Sequence, residues 1–384
     1  MVTMITAFTE EIDDIEAAVS EVLAQLDLEN SLKAHSVGVL HCFVDFLESG
    51  VVEGLCAKLP FDVVGTTTLS VSTREGMSPL GLSIAVLTSD SVSFVTGASE
   101  PITGAVDGPI EELYGRLVSG LPEKPAMLMP FVPFLLNVCG DDFVEKLDSL
   151  SGGLPAFGTL AISRNLEEGR IFTIHNGSHY RDSLVLLALC GDVDPVFMSV
   201  SVTDENILKQ KAMVTGVDRN VLSTVNNLPA VEYFESIGLA SGGVMFNIQS
   251  MPLILYQEDG STLIRACVSP AEGGSVILAG AANVNSTLAL ATMGMDDVIR
   301  SSGEKADETL KVAEGRGALI YSCVARRLVL GAKPMAEHEK LAERFGEAFP
   351  YSVAYSGGEI FPSILADGSA ANHLQNDSLI ICVI

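Results

Sequence analysis

GALIYSCV (317–324), the charged segment 335–348, YSVAYSGGEIF (351–361) and DSLIICVI (377–384) together decide the fold. The first and last are unbroken apolar runs of strand length, the pattern of strands covered on both faces. The segment 335–348 has helical spacing and stops before Pro350, and the pair Gly357-Gly358 turns the following strand into another. Working outward, the same order of strand, helix, Gly-containing strand and final apolar strand occurs twice more. One copy has SVGVLHCF (36–43), a helix over 46–59 stopped by Pro60, DVVGTTTLS (62–70) and LGLSIAVLT (80–88). The other has AMLMPFVPF (126–134), a helix over 142–150, LPAFGTLAIS (154–163) and DSLVLLALC (182–190). Asp182-Ser183-Leu184 and Asp377-Ser378-Leu379 stand at matching places in two of the copies.

Outside the copies, a helix is predicted over 9–27, where Ile12, Ile15, Val19, Val22 and Leu26 recur at helical spacing and Thr9 stands at the cap. Between 211 and 293 the pattern changes to hairpins: one about Asp218-Arg219-Asn220, one about the Asp259-Gly260 turn, and a third over 274–293. A helix at 230–237 separates the first two, and 300–317 is helical in part. The expected fold class is α/β (α+β), with repeated strand-helix-strand-strand units forming mixed, largely antiparallel sheets and helices outside. A composition shift near 195–210 divides the chain into two similar halves, 1–200 and 201–384.

With 384 residues, 48% of them hydrophobic, the chain fills a sizeable core. Its longest apolar stretch, 126–139, is interrupted by Pro130 and Pro133 and is too short for the roughly 20 residues that cross a bilayer. The acidic N-terminal segment lacks the basic-then-apolar order of an export signal, so a cytoplasmic location is expected. Seven scattered cysteines with no CxxC pair imply reduced, mostly buried thiols and no structural zinc site. A formal charge of −27 repels nucleic acid and anionic membrane surfaces. No P-loop, HExxH or GxGxxG occurs, and the set Cys323, His373 and Asn372 lacks a flanking catalytic signature, so no enzyme is expected.

YSCVARRLVLG (321–331), AEHEKLAERFGEAFPYSVAYSGGEIFPS (336–363) and NHLQNDSLIICVI (372–384) resemble the C-terminal pattern of the FIST family. In that pattern a strand ending in Cys leads to Arg, a Glu-bearing helix, a GE turn and an Asn/His-containing approach to the last strand. A looser resemblance covers PLILY (252–256) and LIRACV (263–268), and the family's N-terminal half from about 36 to 195. There GTTTLSVSTREG (65–76) departs from the usual small, Cys- or Ser-containing segment. The resemblance implies a prokaryotic sensory input module that binds a small polar metabolite such as an amino acid. With no output domain in the chain, it would act as a stand-alone sensor signalling through a partner protein. Because some members are haem-based sensors of nitric oxide, the resemblance keeps haem as an alternative cofactor, with His41, His175, His179 and His373 as candidate ligands. A protein-interaction module without a small ligand is the third reading.

The candidate ligand-binding residues are Cys323, Arg326, Tyr355, Gly358, Glu359 and Asn372. Arg326 and Arg327 follow a strand end, where a guanidinium forks onto a ligand carboxylate or onto a protein acid. Glu359 in the Gly-Gly-Glu turn either meets a ligand ammonium group or is a solvated residue of a tight turn, and Tyr355 points to the same side as Gly357. Cys323 is either a cavity-facing thiol or a small core residue, and Asn372, His373 and Asn376 either line the site or form turns. Arg265 reads as an exposed strand residue, Glu337 as part of a solvated helix face and Asp377 as the start of a strand.

Overall fold

The computed structural model describes all residues except 120, 122, 136–137, 165–168, 243, 246–250 and 365–369. Its α/β architecture follows from the repeat. The first sheet runs Thr3–Thr9, Leu82–Ser89, His35–Cys42, Asp62–Thr67, Thr173–His175, Ser178–Tyr180. The second runs Ser93–Ala98, Val185–Cys190, Pro125–Val132, Gly158–Leu160, Glu359–Ile364, Ala370–Gln375. The third runs Val196–Val200, Leu379–Val383, Ala318–Cys323, Tyr351–Ser356, Val71–Thr73, Met77–Ser78. In each sheet the two middle strands are parallel and joined through a helical crossover, and their other neighbours are antiparallel.

The last two strands of every sheet come from another unit. The first unit gives Val71–Thr73 and Met77–Ser78 to the third sheet, the second gives its hairpin to the first sheet, and the third gives Glu359–Ile364 and Ala370–Gln375 to the second. The three copies read in the sequence therefore fold as three cyclically interlocked units.

The inner faces of all three sheets meet in one core, which contains Val39, Leu87, Met129, Phe131, Leu187, Tyr321 and Ile380. Helices Ile15–Leu26, Asp107–Val118, Gly140–Ser151, Met295–Val312 and Ala336–Phe345 cover the outer faces through three further apolar clusters. Burial on both faces is what the unbroken apolar strands require. Where parallel strands approach closely, a side chain does not fit: a Cβ on Gly65 would lie 1.7 Å from the Leu40 carbonyl oxygen.

Several boundaries differ from expectation. The predicted helix 9–27 begins at Ile15 with Asp14 as its cap, and Thr3–Thr9 is a strand beside Leu82–Ser89. Gly50, at φ 86°, splits the helix expected over 46–59 into Asp45–Glu48 and Val51–Cys56. Helix Asp107–Val118 had no sequence counterpart. The strands of 274–293 form no hairpin with each other. Val276–Leu278 pairs with Cys267–Pro270 and Val221–Val225, whereas Thr287–Ala291 pairs with Ile207–Asp218 and Leu253–Tyr256.

Those strands belong to a fourth, eight-stranded sheet over 207–291, with helix Ala230–Ser236 in its own apolar core. Its tether is Arg265, which is wholly buried and not an exposed strand residue. The guanidinium pairs with Asp141 at 2.8 Å and donates to the carbonyls of Ala281 and Leu374. A charge taken out of water needs that full set of partners.

Candidate functional site

The third unit's parallel strands, Ala318–Cys323 and Tyr351–Ser356, end side by side, with Cys323 opposite Ser356. Ligands of α/β sheets sit outside such carboxyl ends. After Cys323 the chain enters the short helix Val324–Val329, which turns Arg326 inward until none of it is exposed. Arg326 donates from Nη2 at 2.8 Å and from Nε at 3.0 Å to Oε1 of Glu337. Ser302 donates to the same oxygen and Ser322 to Oε2, each at 2.7 Å. Burial opposes ionisation of Glu337, but Arg326 and the two hydroxyls outweigh it and hold the carboxyl below its ordinary range. Glu337 is thus fully buried rather than solvated. Its neighbours at helical spacing, Leu341 and Phe345, are buried on the same face of Ala336–Phe345.

Around this neutral pair lie groups whose hydrogen bonds are unmade. Glu359 accepts from Ser378 at 2.7 Å through Oε2 and has no partner at Oε1. Burial raises its pKa well above the usual range, against the pull of the Ser378 and Ser356 hydroxyls. Asp377 is 1% exposed and has no partner at either carboxylate oxygen. Burial pushes its pKa up to about 7 in spite of Arg326. Its backbone sits at φ 53°, in the left-handed region where Asp and Asn are enriched among residues other than glycine.

The thiol of Cys323 is raised well above its usual range by burial and then by Glu359 and Asp377. Tyr355 packs edge-on against His338 at 4.9 Å, with the Arg327 guanidinium 5.9 Å from its ring centre. Burial lowers His338 to about 4, so its ring is neutral at pH 7.

Thirteen buried side-chain nitrogen or oxygen atoms lack a partner among the described residues, and eight of them belong to this neighbourhood. They are Arg326 Nη1, Arg327 Nε, His338 Nδ1, Tyr355 Oη, Glu359 Oε1, Asn376 Nδ2 and both oxygens of Asp377. Scattered orphans are ordinary, whereas these eight gather near the carboxyl ends of the third unit's parallel strands and include both donors and acceptors. Ser378 also lines an adjoining cavity of about 430 Å³, with Gln375, His373, Thr262, Phe361 and Phe197 among its other walls. The cavity is therefore one hydrogen bond from Glu359.

Of the residues singled out in the sequence, Cys323, Arg326, Tyr355, Gly358 and Glu359 come together here. Gly358 packs close to Asn376, whose Nδ2 would lie 3.4 Å from an added Cβ. Asn372 does not join them. It accepts from the Ala156 amide and donates to Asp148 and the Leu154 carbonyl, which clamps the exchanged hairpin to the second unit. The four histidines considered for haem are dispersed. His41 is held in the core between Thr66 and Tyr321, with burial lowering its pKa to about 3. His175 contacts Thr96, and His179 lies edge-on to Phe172. Of the four, His373 alone lines the cavity. Among the described residues no three His, Cys, Asp or Glu side chains are grouped to hold a metal. Asp377, His338 and the serines at 302, 322 and 378 were not anticipated as site residues.

The described residues thus form an interlocked three-unit α/β chain with a buried polar corner. The chain belongs to the FIST family: the FIST N domain matches residues 36–228 and the FIST C domain residues 229–362. FIST domains are sensory domains of signal-transduction proteins. No match was found among curated proteins. Among the described residues no helix is long and apolar enough to cross a membrane.

Proposed function

We propose that this chain is a cytoplasmic sensor that binds a small polar metabolite, an amino acid above all, at the corner formed by Arg326, Tyr355, Glu359 and Asp377, and signals through a partner protein. The observation that carries the reading is the concentration of unpartnered buried donors and acceptors in one place. An amino acid presents a carboxylate and an ammonium a few ångströms apart. Arg326 Nη1 and Asn376 Nδ2 suit the first, and the oxygens of Glu359 and Asp377 suit the second. The neighbouring cavity supplies the approach from solvent. Leaving such groups unpartnered costs stability, and a ligand that satisfies them recovers it on binding.

The test is a thermal-shift screen of the purified protein against the twenty amino acids, related small acids and amines, and haemin. A ligand specific to the native state adds about 2.7 kcal/mol at a hundredfold excess over its dissociation constant, so the midpoint climbs progressively with dose. A saturable shift from one metabolite class supports the sensor. A shift from haemin alone replaces it with a haem-based sensor, and silence across the whole panel favours an interaction module.

A further inference from the structure

We propose that the Asp377–Glu359 corner is an ammonium-for-proton exchange site: a primary ammonium on the ligand enters as the proton held by Asp377 leaves. This rests on the reading of the corner as the ligand site, and names both the ligand group and its regulation.

The charge inventory supports it. Arg326 is already neutralised by Glu337, with both side chains wholly buried. His338 is neutral at pH 7, and the Arg327 guanidinium lies over the Tyr355 ring. The thiols of Cys323 and, from the fourth sheet, Cys267 face Asp377, and both are held protonated by burial. No cation among the described groups is thus left to balance Glu359 and Asp377. Their three unpartnered oxygens, two on Asp377 and one on Glu359, equal in number the three N–H donors of a primary ammonium. Partnering decides which one exchanges: Glu359 is held by the Ser378 hydroxyl, whereas Asp377 has no partner at either oxygen and burial pushes its pKa up to about 7. On binding, the Asp377 O–H bond breaks, the proton passes to solvent, and the carboxylate formed is paired with the incoming cation. Where Asp377 still holds its proton, the exchange leaves the net charge in the corner unchanged, so binding creates no uncompensated buried ion.

The experiment uses the intact chain with three probes, methylammonium chloride, glycine and sodium acetate, each titrated at pH 5.5, 7 and 8.5 with thermal shift and calorimetry as readouts. Methylammonium and glycine are expected to bind, with affinity weakening about tenfold for each pH unit below 7 and levelling off above it. Calorimetry in two buffers of different protonation enthalpy should show about one proton released per ligand at pH 5.5 and almost none at pH 8.5. Asp377→Asn, which keeps the shape and removes the proton, should abolish the pH dependence. Binding of glycine with equal affinity at all three pH values overturns the exchange and leaves the sensor reading standing. Binding of acetate without methylammonium overturns the cation assignment. Failure of all three probes to bind overturns the exchange and the ligand site together.

Discussion

Replacing Asp377 by Asn should stabilise the protein at neutral and alkaline pH. Asp377 is 1% exposed, has no hydrogen-bond partner at either oxygen, and titrates at about 7 against an ordinary 3.8. Because the folded-state pKa is raised, the sign runs against the usual carboxylate. Its contribution is fully present below pH 3.8, falls as the pH climbs, and is exhausted once the pH passes about 7. Roughly three pH units at about 1.4 kcal/mol each give about 4 kcal/mol as an upper bound on what ionisation costs. Asparagine carries no such charge, keeps the shape and tolerates the left-handed backbone at φ 53°. Urea unfolding of both proteins at pH 4, 5.5, 7 and 8.5 measures the difference directly, and the comparison cancels the opposite trend from Glu337, whose stabilisation is lost in acid. The variant's advantage should grow steadily from pH 4 to 7 and then stay level. A constant difference across that range, or a variant less stable at pH 8.5, refutes the reasoning. A functional site kept at the expense of stability is a common pattern.

Glu359→Gln should fold normally, since burial already disfavours the charged form of Glu359 and the amide keeps its shape, yet weaken ligand affinity about tenfold, equivalent to about 1.4 kcal/mol, when followed by calorimetry. Arg265→Met should strand the buried Asp141 carboxylate and lower unfolding stability by about 3–5 kcal/mol, with protease susceptibility rising first in 207–291. Asn372→Ala should cost about 1–3 kcal/mol in chemical denaturation while leaving ligand affinity unchanged, because its partners are Asp148, Leu154 and Ala156 and not the corner.

The repeat was legible because its signal is local: GALIYSCV, AMLMPFVPF and SVGVLHCF each read as doubly covered strands, and each is one. The exchange of hairpins was not legible, because the partner of Glu359–Ile364 is the distant Gly158–Leu160 and nothing in either segment specifies the other. The Gly-Gly-Glu turn and Arg326, three residues past Cys323, could be singled out because glycine and strand ends have positional meaning. Glu337 was misjudged on the charge of AEHEK, although its four-residue spacing to Leu341 and then Phe345 placed it on the buried face. Asp377 was read as the start of a strand. Its importance lies in a left-handed backbone and two unpartnered oxygens, which only the folded chain displays.

The most direct test of the account is a crystal structure of the chain with the metabolite that gives the largest saturable thermal shift. The account predicts density in the corner, with the ligand hydrogen-bonded to Arg326 Nη1 and to the oxygens of Asp377 and Glu359. Density confined to the cavity beside His373, or anywhere outside the third unit, with those atoms still unpartnered, would contradict it.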